Sequence, residues 1–204
     1  MGSRQRHWQG VYADKTEEAL TWFQASPDAS LAMIEGTGFG PEARILDVGG
    51  GSSRLVDALL DRKFKNLTVL DVSGTGLKQA RDRLGPGAEA VTWVTADITT
   101  WDPPDTFDIW HDRAAYHFLV DGKDRAAYGR VLEKALAPSG QAIIGTFALD
   151  GPEQCSGLPV RRYDGETLAR ELGPAFRLAE TTRDDHVTPK GNIQRFQFSR
   201  FIRA

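Results

Sequence analysis

Residues 44–54, Arg-Ile-Leu-Asp-Val-Gly-Gly-Gly-Ser-Ser-Arg, set an acid, Asp47, just ahead of three glycines, Gly49, Gly50 and Gly51. A short apolar run leads in, and Leu55-Val56-Asp57-Ala58-Leu59-Leu60 leads out with a helical pattern. This predicts a buried strand, a tight turn and the start of a helix. Glycines in such a turn can take positive φ and let a ligand approach the main chain. Asp71 follows Gly51 by 20 residues and closes a second apolar run, Leu67-Thr68-Val69-Leu70, just ahead of Val72. An acid at the tip of a second strand is placed to accept hydrogen bonds from ribose hydroxyls. The order Asp-x-Gly-x-Gly-x-Ser differs from the Gly-x-Gly-x-x-Gly that directly follows the strand in dinucleotide sites. The loop also lacks the Gly-Lys-Ser/Thr that holds a triphosphate. An acid beside the turn suits a ligand with an ammonium or sulfonium group.

Further candidates stand near the ends of later apolar runs. His111, Asp112 and Arg113 follow Phe107-Asp108-Ile109-Trp110, and His117 comes six residues after His111. A histidine at a strand end can act as a general base, and an arginine can bind an anion. Cys155, Arg162 and Tyr163 lie in a long loop, 147–163, and His186 lies in a polar stretch, 182–194. Tyr163 is a second candidate base, and His117, Cys155, Arg162 and His186 are candidate substrate contacts. The four histidines and single cysteine are scattered without zinc-ligand spacing, so no metal is expected.

These residues need a scaffold, and the pattern supplies one. Apolar or β-branched runs at 44–48, 67–72, 91–96, 107–111, 141–147, 175–181 and 195–202 alternate with helical patterns at 52–63, 75–84, 123–137 and 164–172. Such alternation predicts an α/β fold with a parallel sheet and helices on both faces. Pro138-Ser139-Gly140 reads as the stop after the helical pattern 123–137, and loop 182–194 as a turn joining the last two strands antiparallel. Ligands in such sheets bind beyond the carboxyl ends of the parallel strands. Loops 111–117, 147–163 and 182–194 should therefore converge there. Residues 4–36, with Trp8, Tyr12, Trp22 and Phe23, have no place in the sheet and read as a lid of short helices.

The chain has 204 residues, 40% of them hydrophobic, and a net charge of −3. That is enough to bury a core as one domain, 1–204, with a lid at 4–36 and a sheet-forming core at 44–204. No basic stretch suggests a nucleic-acid partner. No run of about 20 apolar residues suggests a membrane span, and the polar start from Met1 to His7 lacks a signal-peptide core. A lone cysteine fits a reducing cytoplasm.

Asp47 to Ser53, Asp71 and Ala96-Asp97-Ile98 resemble the motifs of class I S-adenosylmethionine-dependent methyltransferases. His7-Trp8-x-x-x-Tyr12, Trp22-Phe23-Gln24 and Pro27-x-x-Ser30-Leu31 resemble a bacterial subgroup that shares this amino-terminal pattern with some eukaryotic protein-lysine methyltransferases. The same subgroup is similar at Trp110 to Ala114 and from Phe147 through Tyr163. The resemblance implies a Rossmann-like seven-stranded sheet, mostly parallel, with the last strand reversed. It implies S-adenosylmethionine as cofactor, with Trp8, Tyr12, Trp22, Asp47, Gly49, Gly50, Gly51, Asp71, Val72, Asp97, Ile98 and His111 around it. Asp97 would accept from the adenine amino group, with Ile98 packed on the ring. Transfer would be an in-line displacement to a small acceptor, anionic or thiol-bearing, with His111, Arg113 and Tyr163 nearest the chemistry. The arginines favour the anion, and nothing in the sequence singles out the thiol. A protein lysine acceptor, or a module that binds the cofactor without catalysis, are the alternatives.

Overall fold

The computed structural model describes residues 2–204; Met1, part of the polar start, lies outside the described residues. The apolar runs pair into one sheet. Strands β1 (Arg44–Val48), β2 (Asn66–Asp71), β3 (Val91–Thr95), β4 (Phe107–Arg113) and β5 (Leu136–Phe147) run parallel. Two two-residue strands, β6 (Gln154–Cys155) and β7 (Leu158–Pro159), form a separate small ladder. Strands β8 (Phe176–Val187) and β9 (Ile193–Arg203) complete the main sheet, whose order is β3-β2-β1-β4-β5-β9-β8. β9 runs antiparallel to both β5 and β8, so the last strand is the reversed one.

Helices α1 (Ser3–Asp14) and α2 (Asp28–Glu35) precede the sheet. Helices α3 (Leu55–Asp61), α4 (Gly74–Leu84), α5 (Gly122–Ala135) and α6 (Gly165–Leu172) connect its strands. Local chemistry marks three starts. Ser73 Oγ accepts from the Gly76 N–H at α4, Asp121 from Lys123 at α5, and Asp164 from Thr167 at α6.

The sheet separates two apolar layers. Ile45, Val69, Ile109, Ile143 and Phe198 face α2 and α3, whereas Leu46, Leu70, Trp110, Ala142 and Phe201 face α5 and α6. Alternate residues of each strand thus serve opposite layers, which is why the parallel strands read as continuous apolar runs. Burying each large side chain contributes about 1.5–3 kcal/mol. No helix is long and apolar enough to cross a membrane among the described residues.

Two expectations need correction. Segment 182–194 is mostly strand: β8 runs on to Val187 and β9 begins at Ile193, leaving a turn at 188–192. Its inward residues His186 and Gln194 are polar, so the alternation carries no apolar signature. Pro138-Ser139-Gly140 lies inside β5; α5 has already ended at Ala135, and the β4–β5 register slips between Phe107 and Ile109 to take up the extra residues.

Candidate active site

Strand alternation sorts the charged groups at the carboxyl ends. Asp47 on β1 lies beside His111 on β4 in the parallel register, so both side chains rise from one face. His111 Nδ1 is 2.7 Å from Asp47 Oδ1, and its Nε2 is 2.9 Å from Ser30 Oγ on α2. The imidazole is buried, and both nitrogens are taken. His111 is therefore not a free general base, as its strand-end position suggested; it ties β1 and β4 to α2. Asp112, one residue on, faces the opposite layer. It accepts from Tyr128 Oη at 2.7 Å and from the Ala115 N–H at 2.8 Å. Burial still pushes its carboxyl up to about 6.

Arg113 returns to the first face. Its Nη1 donates to the Trp22 carbonyl at 3.2 Å, and its guanidinium carbon lies 4.5 Å over the centre of the Phe196 ring. Its Nε and Nη2 are buried with no hydrogen-bond partner among the described residues. Burial lowers its pKa to about 10, against the opposing field of Asp184. The residue that follows, Ala114, sits at φ +71°, a left-handed conformation that is strained for a side chain with a Cβ.

The glycine loop is shaped by an aromatic ring. Gly51 has φ +48°, and a Cβ there would stand 2.0 Å from Tyr12 Oη; one on Gly76 would stand 2.8 Å from the same ring. Tyr12, on α1, is 4% exposed and fills the notch between the loop and α4. Helix α1 is held at further points. Gln9 accepts from Ser73 and Thr75, and Arg4 Nη1 reaches Asp97 Oδ2 at 2.6 Å while its Nη2 reaches Asp124. Glu17, just beyond α1, binds Arg54 and Arg83, both at 2.6 Å.

Under this cover lies a cavity of about 820 Å³, its open mouth included. Asp71, Val72, Asp97, Ile98 and Leu119 line the end beneath β2 and β3. Arg113, Cys155, Gln194 and Phe196 line the other end, and Arg4, Trp8, Tyr12 and Trp22 cover it. A second lobe of about 510 Å³ shares Trp22, Gly49 and Arg113, and adds Asp47, Gly50, Ser52, Ser53, Arg54 and His111. Burial raises the Asp71 carboxyl to about 7, with Asp47 adding to the rise, although the Ser73 and Gly51 N–H groups bond it. Asp97 behaves oppositely: burial would raise it, but bonds from Thr99 and Arg4 hold it below the usual carboxylate range.

The remaining sequence candidates divide. Cys155 sits in the β6–β7 ladder rather than a loop and lines the cavity; burial pushes its thiol up. His117 is buried behind the cavity wall. Its Nδ1 accepts from the Phe147 N–H at 3.3 Å, and burial, then Arg113, drives its pKa to about 3. Tyr163 lies in the α5–α6 layer, 5.5 Å from Tyr116 between ring centres. The sheet separates it from Arg113, so it does not stand in for a base. Arg162 turns away to Gly151 and Glu153. His186 donates through Nε2–H to the Thr21 carbonyl, 2.8 Å away, and lines an open groove instead of the cavity. Sequence reasoning missed Arg4, Phe118, Leu119, Gln194 and Phe196. The alternation of Gln194, Phe196 and Phe198 could have revealed two of them, had the hairpin been extended.

This lining fits S-adenosylmethionine by its chemistry. A buried acid whose charge lacks solvent, Asp71, suits a ribose diol that donates two hydrogen bonds. Apolar Val72, Ile98 and Leu119 suit the adenine ring, and two acids near the glycine loop suit a cationic sulfonium. Among the described residues no cluster of three or more His, Cys, Asp or Glu could hold a metal ion.

Comparison with known proteins agrees with this chemistry. A family model described as a methyltransferase domain matches residues 45–140. "Probable thiol methyltransferase 2" of Arabidopsis thaliana is 27% identical over 143 residues, which is 69% of this chain and 62% of that protein. The chain thus spans under two thirds of that relative's length. Thiocyanate methyltransferase 1 of Brassica oleracea is 25% identical over 179 residues, 86% of this chain and 70% of the relative. In fold, the chain is similar to the N-methyltransferase NodS of Bradyrhizobium japonicum, solved with S-adenosylhomocysteine. The TM-score is 0.74 at 16% identity, covering 98% of this chain and 99% of the other. By the family match over residues 45–140 and by its fold, the chain is similar to the S-adenosylmethionine-dependent methyltransferases.

Proposed function

We propose that the chain methylates a small anionic acceptor at the Arg113 end of the cavity. The observation that carries this reading is the buried guanidinium with two unpaired nitrogens. A buried charge without a partner is costly, and an anion delivered by the substrate would remove that cost. Asp71 holds the ribose, Ile98 and Leu119 flank the adenine, and Arg4, Trp8, Tyr12 and Trp22 close over both. Bound S-adenosylmethionine supplies a methyl carbon on a cationic sulfur; as the acceptor's lone pair bonds to that carbon, the carbon–sulfur pair stays on sulfur and both charges are cancelled. An acceptor that arrives ionised at the attacking atom therefore has no proton to hand on, which suits a site where both His111 nitrogens are engaged and His117 lies outside the cavity lining. The chain's own contribution is to align the acceptor and exclude water, an effect that can reach about 7–11 kcal/mol. The names of the thiol and thiocyanate methyltransferase relatives support a small acceptor, and a reducing compartment, the cytoplasm, suits the free Cys155.

A second reading rests on the open groove beside the cavity, lined by Glu18, Asp184 and Asp185. An acidic groove would receive a cationic segment and so favours a protein lysine. A turnover screen separates the two. The purified chain is given S-adenosylmethionine with thiocyanate, small thiols, carboxylates, amines or lysine-rich protein, and S-adenosylhomocysteine is measured. Small anions should lead. Turnover confined to the lysine-rich protein would reverse the order, and binding without any turnover would leave a cofactor-binding module.

A further inference from the structure

The free edge of Arg113 is more specific than a positive charge. Nη1 is already committed to the Trp22 carbonyl. The two nitrogens left without partners are Nε and Nη2, which lie side by side on one edge of the planar guanidinium. That edge offers two parallel N–H bonds, the fork that matches the two oxygens of a carboxylate. Phe196 supports the plane from one face at 4.5 Å and fixes its tilt. The field of the Asp184 carboxylate raises the pKa of Arg113, yet no ion pair joins the two among the described residues, where Asp184 Oδ2 is likewise buried without a partner.

A second polar group stands beside the fork. Gln194 precedes Phe196 by two residues on β9, so both project from the same face of the strand. Its side chain lines the cavity with Arg113 and Cys155, and its Oε1 is buried without a partner. An amide left unpaired in a buried wall costs about 1–3 kcal/mol. It is free to turn either its donor or its acceptor toward a ligand.

We propose that the acceptor carries a carboxylate seated on the Nε–Nη2 edge of Arg113, with the Gln194 amide as a neighbouring polar contact that sets specificity. The inference rests on the anionic-acceptor reading and narrows it. A linear or single-atom anion must share one acceptor atom between the two N–H groups, whereas the two oxygens of a carboxylate match them one to one. The substrate class is a small carboxylic acid bearing a thiolate a few bonds from the carboxylate, so that the sulfur that bonds the methyl carbon enters ionised and has no proton to lose.

Calorimetry on the chain saturated with S-adenosylhomocysteine tests this without turnover. The probes are 2-mercaptoacetate, 2-mercaptobenzoate, their neutral amides, and thiocyanate. At least one carboxylate should bind more than tenfold tighter than its amide and than thiocyanate. Arg113→Lys keeps the charge and loses the fork, and should shrink that preference to within about threefold. Gln194→Leu should weaken the same carboxylate severalfold while S-adenosylhomocysteine binding holds. Equal binding of thiocyanate and the carboxylates, unchanged in Arg113→Lys, overturns the carboxylate seat and leaves the anionic reading intact. No binding by any anion removes both. If Arg113→Lys instead weakens S-adenosylhomocysteine and spares the probes, the fork holds the cofactor's own carboxylate and the inference fails.

Discussion

The His111 imidazole bridges two carboxyl-end elements and a lid helix, lying 2.7 Å from Asp47 Oδ1 and 2.9 Å from Ser30 Oγ. Asp47 and His111 are each at most 5% exposed, so the contact is a buried one whose loss strands a carboxylate. His111→Ala should destabilise the fold by about 3 kcal/mol or more, since breaking a buried pair typically costs about 3–5 kcal/mol. Ser30→Ala should cost about 1 kcal/mol. Urea unfolding followed by tryptophan fluorescence measures both. A His111→Ala protein as stable as the parent would show that Asp47 finds another partner.

Asp71 should make cofactor binding depend on pH. Its carboxyl is raised to about 7 in the free protein, chiefly by burial. A ribose diol donates to the ionised form, so affinity for S-adenosylhomocysteine should climb as pH rises from about 6 to 8. The stability term has the opposite sense. A folded pKa above the unfolded value of about 3.9 gives stability that is complete below about pH 4 and lost as pH rises through about 7. Asp71→Asn should abolish the climb and weaken binding more than tenfold at pH 8. A flat affinity profile in the parent chain would take Asp71 away from the ribose.

Gly51 and Tyr12 should behave as one unit. A methyl group at Gly51 would lie 2.0 Å from Tyr12 Oη, on a backbone at φ +48° that disfavours any Cβ. Gly51→Ala should therefore unseat α1, weaken S-adenosylhomocysteine binding and speed amide exchange over residues 3–14. Tyr12→Phe removes the clashing oxygen. Combined with Gly51→Ala it should recover part of the loss, a non-additivity that a double-mutant cycle reads directly. Strictly additive losses would mean the ring does not depend on the glycine.

The positions of Asp47, the glycines, Asp71, Asp97 and Ile98 at strand ends and turns were legible because each carries its own local signature. The parallel α/β sheet followed from the alternation of apolar runs with helical patterns, whereas the strand order β3-β2-β1-β4-β5-β9-β8 depends on pairings that no local run encodes. Residues whose roles depend on facing and packing were not legible. His111, Asp112 and Arg113 are consecutive in the chain, but the pleat sends Asp112 to the α5 layer and leaves His111 and Arg113 together. Nothing local shows that Asp47 would occupy His111, or that Tyr163 would sit behind the sheet. Gln194 escaped notice because a polar residue in a polar hairpin looks like solvent-facing loop. It pairs with His186 on β8 and lines the cavity, a placement that depends on the fold and not on local sequence.

Arg4 gives the last prediction. It lies on a helix with one buried residue, Tyr12, and no side-chain cap, so packing alone holds α1 weakly. Arg4 compensates by bonding Asp97 through Nη1 and Asp124 through Nη2, spanning β3 and α5 across the mouth of the cavity. Both partners are part-exposed, which keeps each bond modest. Their joint effect is to set how often the cover opens. Arg4→Ala should leave global stability within about 1 kcal/mol while raising the dissociation rate of S-adenosylhomocysteine severalfold, with faster exchange confined to α1. Asp124→Asn should reproduce part of this, because it removes one anchor and leaves Asp97 untouched. Stopped-flow displacement gives the rates. If dissociation is unchanged in both variants, release follows another path and α1 is a fixed wall of the cavity rather than its gate.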